Sequence, residues 1–171
     1  MGRCGAKWVK ATAPKQKMSS NETNERISYK ASYRHGVDEK RRVQIPAKWR
    51  PTQPDVRFHL MVWQPPGQKQ ACLLILPPRT YDKLEEKMVS MSFSDPEAES
   101  LRRFLGENSD DVILDKGGRI CLPEAMVRAV GIASEAVLVG LFDRFQIWNP
   151  EHYELVKVAD AALAPHAQKL I

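Results

Sequence analysis

Cysteine is scarce in this chain: three among 171 residues, Cys4, Cys72 and Cys121, with no Cys-x-x-Cys pair. An odd number so widely spaced supports neither a disulfide framework nor a zinc site, and points to a reducing cytosol. Long apolar runs are missing as well. The longest, residues 71–76 and 136–142, fall far short of the ~18 residues that cross a bilayer, so no membrane span is expected. The basic residues 1–18 have no apolar stretch behind their charges, and Ala6 stands where a myristoylation signal needs Ser or Thr. Neither a secretory signal nor an acyl anchor is expected. His35, His59, His152 and His166 lie at no metal-ligand spacing, and neither a Gly-x-Ser-x-Gly elbow nor a Walker sequence occurs. No metal, cofactor or catalytic residue is expected.

What is present is a folded chain with lopsided charge. Hydrophobic residues make 43% and charged residues 27%, which suits one compact domain or two small fused ones. Residues 1–50 hold 13 Lys and Arg against 4 Asp and Glu, whereas residues 51–171 hold 13 against 17. Such asymmetry presents a basic face or arm to a polyanion, and in a cytosol the commonest is nucleic acid. Residues 1–28 are polar and without periodicity, and read as a disordered or weakly ordered basic arm. Met18 is an alternative translation start that would remove five basic residues, so no function is hung on the arm.

The organising feature is a tandem duplication. VDEKRRVQIPAKWR, residues 37–50, aligns with LDKGGRICLPEAMV, residues 114–127, at an offset of 77, and LLILPPRTY, residues 73–81, aligns with FQIWNPEHY, residues 145–153, at an offset of 72. A longer hairpin loop around residues 65–70 accounts for the difference.

Each copy predicts an Asp-led turn, a short strand (residues 43–45 and 120–122), and a proline opening a short helix (residues 47–50 and 124–130). Two further strands follow in each, residues 58–63 and 72–76, then residues 136–141 and 144–148. Gly131 supplies a helix stop and Phe142-Asp143 a tight turn. Pro78 and Pro150 open the closing helices, with Asn149 as an N-cap. Tyr81, Leu84, Met88 and Met91 form a stripe expected to pack on the strands. Residues 93–107 read as a connecting helix, capped by Ser94 or Asp95 and ended at Gly106. Copies of this size are marginal alone, so the two are expected to share a core. The division is then residues 1–28 arm, 29–92 first repeat, 93–107 connector, 108–160 second repeat and 161–171 tail.

Asp-x-x-x-Arg at the mouth of a strand survives in both copies. Asp38 and Asp115 at the first turn position accept backbone hydrogens, Gly118 takes the left-handed position, and Arg119 begins the strand. The same turn offers Lys and Arg side chains to phosphates or guanine edges. An acid-base pair of Asp38 with His35 is disfavoured, because the second copy has no equivalent histidine.

These paired motifs, the continuations IPAKWR and LPEAMVRAVGI, and the segment VLVGLFDRFQIWNPEHY resemble the MraZ family of bacterial transcriptional regulators over about residues 30–158. The resemblance implies an α+β, mainly β fold: two AbrB-like swapped-hairpin halves forming β-barrel-like units, with flanking and connecting helices. It also implies a ring-like homo-oligomer that binds double-stranded DNA, at promoter direct repeats of the division and cell wall gene cluster, and a cytoplasmic, nucleoid-associated protein. Carried over by position, Asp38 and Asp115 are the motif turn residues, and Lys40, Arg41, Arg42, Lys116 and Arg119 the nucleic-acid-binding ones. Arg41 departs from the family's glycine; an unchanged turn forces it into a left-handed backbone that costs about 1 to 2 kcal/mol. With three consecutive cations, the first loop is expected to contribute more to DNA affinity than the second. Two other readings remain. One is an antitoxin or transition-state regulator of the same superfamily on a palindromic operator; the other is a scaffold whose basic face binds RNA or an acidic protein.

Overall fold

A computed structural model describes residues 25–171. The expected arm, with Met18 and Cys4, lies outside the described residues up to position 24. Of the rest of that arm, Glu25 accepts hydrogen bonds from the backbone and hydroxyl of Thr52, and Ile27 packs against the core.

Among the described residues the chain is a mixed α and β structure of eight strands and four α-helices. The first repeat supplies β1 (Ser32–Gly36), β2 (Arg42–Gln44), β3 (Arg57–Trp63), β4 (Cys72–Leu76) and α1 (Pro78–Ser90). After α2 (Pro96–Glu107), the second supplies β5 (Ser109–Ile113), β6 (Arg119–Cys121), α3 (Glu124–Val130), β7 (Glu135–Gly140), β8 (Phe145–Trp148) and α4 (Pro150–Ala167). The residues expected to form the first repeat's short helix make a 3-10 turn at Ala47–Trp49, and α4 continues through much of the expected tail.

The local signals act as their chemistry requires. Pro78, Pro96 and Pro150 each sit at the start of a helix, where a missing N–H costs nothing. Asp95, not Ser94, caps α2 by accepting from the Glu97 amide, and Asn149 caps α4 by accepting from Glu151 and His152. Gly131 ends α3 at φ 70°. Phe142 turns the β7–β8 hairpin at φ 66°.

Six strands form one antiparallel sheet in the order β1-β7-β8-β4-β3-β5, and β2 pairs with β6 in a second. Exchange of the repeats leaves this arrangement unchanged. Each repeat's first strand crosses to the other repeat's third, so β1 pairs β7 and β5 pairs β3, while β2·β6 and β4·β8 lie on the pseudo-two-fold. The two crossings carry equivalent ion pairs of opposite polarity: Arg34 with Glu135 at 2.6 Å, and Asp111 with Arg57 at 3.4 Å. One core spans both copies, drawing Val43, Ile45, Phe58 and Ile75 from the first and Ile120, Leu122, Leu138 and Phe145 from the second, all at 0% exposure. That burial, not either repeat alone, supplies the main driving force. Tyr81 and Leu84 of the predicted α1 stripe pack onto Met61, Leu74 and Leu76 as expected. Of the described cysteines, Cys72 is buried in β4, whereas Cys121 is exposed on β6.

Candidate nucleic-acid interface

The two motif loops lie at opposite ends of the short β2–β6 ladder, and each closes in the same way. In the first, the Asp38 carbonyl accepts from the Arg41 amide at 2.8 Å, and the Asp38 amide donates to the Arg42 carbonyl at 3.1 Å. In the second, the equivalent bonds join Gly118 to Asp115 at 2.9 Å and Asp115 to Arg119 at 2.8 Å. Asp38 Oδ1 accepts from the amides of Lys40 and Arg42; Asp115 Oδ1 accepts from that of Arg119. Both aspartates thus accept backbone amides from within their own turns. These backbone donors, above all the amide of Arg42 or Arg119, hold both carboxyls below the usual carboxylate range, aided by the arginine side chain.

The second carboxylate oxygen orients a cation. Arg42 Nε donates to Asp38 Oδ2 at 2.7 Å, and Arg119 donates to Asp115 Oδ2 from Nε and Nη2, both at 3.0 Å. Each guanidinium is held half-exposed in a fixed plane. Among the described residues, both Nη groups of Arg42 and the Nη1 of Arg119 have no partner. Arg42 and Arg119 line one shallow hollow with Gly36, Val37, Asp38 and Gln44, so the fold brings the two motifs to a common surface. Lys40 and Lys116 are exposed on their loops. Arg41 occupies the left-handed position at φ 59°, against 75° at the equivalent Gly118, as its substitution for glycine predicts. Its side chain reaches back across the ladder, Nε donating to the Leu122 carbonyl at 3.1 Å.

Further bonds tie each loop to the other repeat. Ile45 N donates to Gly118 O, and Leu122 N to Arg41 O, both at 2.9 Å. Gln44 Nε2 bonds the carbonyls of Gly117 and Gly118, and Cys121 Sγ, at the equivalent position, bonds that of Lys40. Neither loop is thus free to move without the other's strand.

Sequence reasoning missed Arg50. It follows the 3-10 turn, donates from Nε to the Ile45 carbonyl at 2.8 Å, and lays its guanidinium over Gly118. The second loop therefore holds three cations in space, Lys116, Arg119 and Arg50, against one carboxylate. The first holds Lys40, Arg41 and Arg42 against two, Asp38 and the exposed Glu39. The difference in charge on which the first loop's expected dominance rests is absent from the folded surface. The one trace in the sequence was a break in the duplication, with Arg50 standing opposite the apolar Val127.

The basic segment's aromatics face inward. Trp49 is 1% exposed, stacks edge-on with Tyr29 and Tyr33, and donates from its indole to the Lys30 carbonyl. It offers no surface for an unpaired base. Among the described residues no group of histidines, cysteines and carboxylates is arranged to hold a metal ion, and no helix is long and apolar enough to cross a membrane.

Comparison with known proteins agrees with the motif geometry. The family described as "MraZ protein, putative antitoxin-like" matches residues 105–169. The protein named Transcriptional regulator MraZ in Nitrosospira multiformis is 36% identical over 120 residues, covering 70% of this chain and 80% of that protein. Its namesake in Thermomicrobium roseum is 33% identical over 139 residues, 81% of this chain and 94% of that protein, and that of Roseiflexus sp. is 31% identical over 139 residues, covering 81% and 93%. With both Asp-x-x-x-Arg turns in place and relatives matched over most of their length, the chain belongs to the MraZ family.

Proposed function

We propose that this protein is a sequence-specific, double-stranded-DNA-binding transcriptional regulator of the cytoplasm, associated with the nucleoid, and not an enzyme. The observation that carries the reading is the pair of Asp-braced arginines, Arg42 and Arg119, lining one hollow beside the exposed Lys40 and Lys116. The crossed strands support a reading of the chain as two AbrB-like swapped-hairpin halves. Arg41, Arg42, Arg119 and the lysines contact phosphates or base edges, while Asp38 and Asp115 hold the loops in shape.

One chain makes few phosphate contacts and binds weakly at physiological salt. A ring-like homo-oligomer repeats the loops in one sense, reads direct repeats upstream of the division and cell wall genes, and gains affinity through avidity. Exposed apolar side chains favour such assembly: Phe93 (80% exposed) beyond α1, and Val158 (73%) with Leu155 and Leu163 along α4. The internal pseudo-two-fold favours a second reading, in which one chain addresses a palindromic operator as an antitoxin or transition-state regulator of the superfamily does.

The test is a gel-shift titration on the protein's own division-cluster upstream region and on a scrambled duplex, across a salt series. Inverted and direct arrangements of the same box are run in parallel. Preference for the native region that persists as salt rises supports the regulator, and preference for the direct arrangement supports the ring. Equal binding to native and scrambled duplexes, vanishing together in salt, refutes sequence reading. Arg42→Ala and Arg119→Ala, titrated on the same duplex, rank the loops.

A further inference from the structure

We propose that Arg50, which lies outside both Asp-x-x-x-Arg motifs, is a DNA phosphate-contacting residue that completes the second motif loop, as Arg41 completes the first. The inference rests on the DNA-binding reading of the loops and extends it to a residue which the motifs do not contain.

The argument starts from the pseudo-two-fold. Ile45 and Leu122 are equivalent positions, the residues just before the prolines that end β2 and β6. Each has its carbonyl capped by an arginine Nε: Ile45 by Arg50 at 2.8 Å, Leu122 by Arg41 at 3.1 Å. Arg41 and Arg50 are not equivalent in the duplication. Arg41 corresponds to Gly118, and Arg50 corresponds to Val127, which is buried in the core. The fold nonetheless places a guanidinium at the same spot on both sides. On the first side the left-handed turn residue supplies it. On the second that residue is glycine, and the guanidinium arrives from the first repeat and lies over it. A Cβ on Gly118 would meet Arg50 Cζ at 2.5 Å and Nη1 at 2.7 Å, so the two solutions exclude each other at one loop.

The unused ends of both groups are available. Each arginine is half-buried, and its Nε bond is the one polar contact its side chain makes among the described residues. Among the described residues, the buried side-chain polar atoms without a partner are histidine nitrogens, and no Nη of Arg41 or Arg50 is one of them. Solvent therefore reaches the Nη pairs. A guanidinium tethered through Nε and open at its Nη edge presents a planar two-donor fork, the geometry that suits a phosphate diester. Three cations per loop then give the two ends of the interface the same number of cationic donors, although the motifs themselves are unequal.

The test measures fluorescence anisotropy of the full chain on its upstream duplex and on a scrambled duplex over a salt series, with thermal melting of every variant. Arg50→Gln and Arg50→Lys both keep a donor for the Ile45 carbonyl, so the difference between them isolates charge. The expected result is that Arg50→Gln binds both duplexes on the order of tenfold more weakly per engaged chain, with a salt slope shallower by about one phosphate contact. Arg50→Lys is expected to retain the wild-type slope, and Arg41→Gln to match Arg50→Gln. Equal slopes for wild type, Arg50→Gln and Arg50→Lys overturn the proposal and leave the DNA-binding reading standing, since Arg50 would then serve only Ile45. Should the wild type bind both duplexes equally, sequence reading fails, and the slopes still decide whether Arg50 meets phosphate. Wild-type binding to neither duplex overturns both.

Discussion

Replacing Gly118 by alanine tests the central piece of geometry, the packing of a first-repeat arginine onto a second-repeat turn. At φ 75° an alanine costs about 1 kcal/mol relative to glycine. Its Cβ would also stand 2.5 Å from Arg50 Cζ, an overlap that the flexible guanidinium relieves by swinging away. Doing so gives up the Arg50–Ile45 hydrogen bond, worth about 1 kcal/mol at a half-exposed site. The sum is about 2 kcal/mol, which for a chain of this size lowers Tm by roughly 6 °C. Gly117→Ala is the control one residue away. There φ is not in the left-handed region and the added carbon meets the side-chain atoms Asp115 Oδ1 at 3.1 Å and Arg119 Nε at 3.3 Å, so the cost stays below about 1 kcal/mol. Thermal melting followed by circular dichroism reads both. A Gly118→Ala protein that melts with the wild type, or a Gly117→Ala protein that melts lower than it, refutes the packing.

Three other outcomes are expected. Gly140→Ala places a Cβ 2.5 to 2.6 Å from the backbone of Tyr29 and Lys30, which cannot swing aside; loss of the Tyr29–Phe142 bonds and of Tyr29 burial destabilises by about 3 to 5 kcal/mol, and a denaturant midpoint near wild type would contradict it. Iodoacetamide at pH 8 labels the exposed Cys121 and spares Cys72, whose thiol is buried and pushed up to about 12; peptide mass spectrometry showing Cys72 labelled in the native protein would be the contrary result. Because the carboxyls of Asp38 and Asp115 titrate below their unfolded value of about 3.9, they stabilise both turns above that pH, and the contribution is lost as pH falls through the lower folded values. Carboxyl carbon titration by NMR should give midpoints under the unfolded value for both, and a midpoint at or above it would remove the hydrogen-bonding argument.

Much of this protein was legible in its sequence because it depends on neighbours a few residues apart. The turn at Asp115-Lys-Gly-Gly-Arg needs a short acceptor, a residue free to adopt positive φ and a following strand. All are encoded locally, and Arg41 at φ 59° shows the turn persisting without its glycine. The strand Cys72–Leu76 and the helix Glu124–Val130 fall where apolar runs, proline and Gly131 place them. The duplication foretold a shared core. Strands β1 and β5 escaped notice because SYRHG and SDDVI carry few apolar residues and are defined by their partners across the pseudo-two-fold. Which strand pairs with which is a non-local choice made by burial of the common core. The same choice carries Arg50 across to Gly118 and puts Arg42 and Arg119 on one surface. The motif residues and their turns were thus set by local chemistry, while the composition of the candidate interface was decided only by packing between the two repeats.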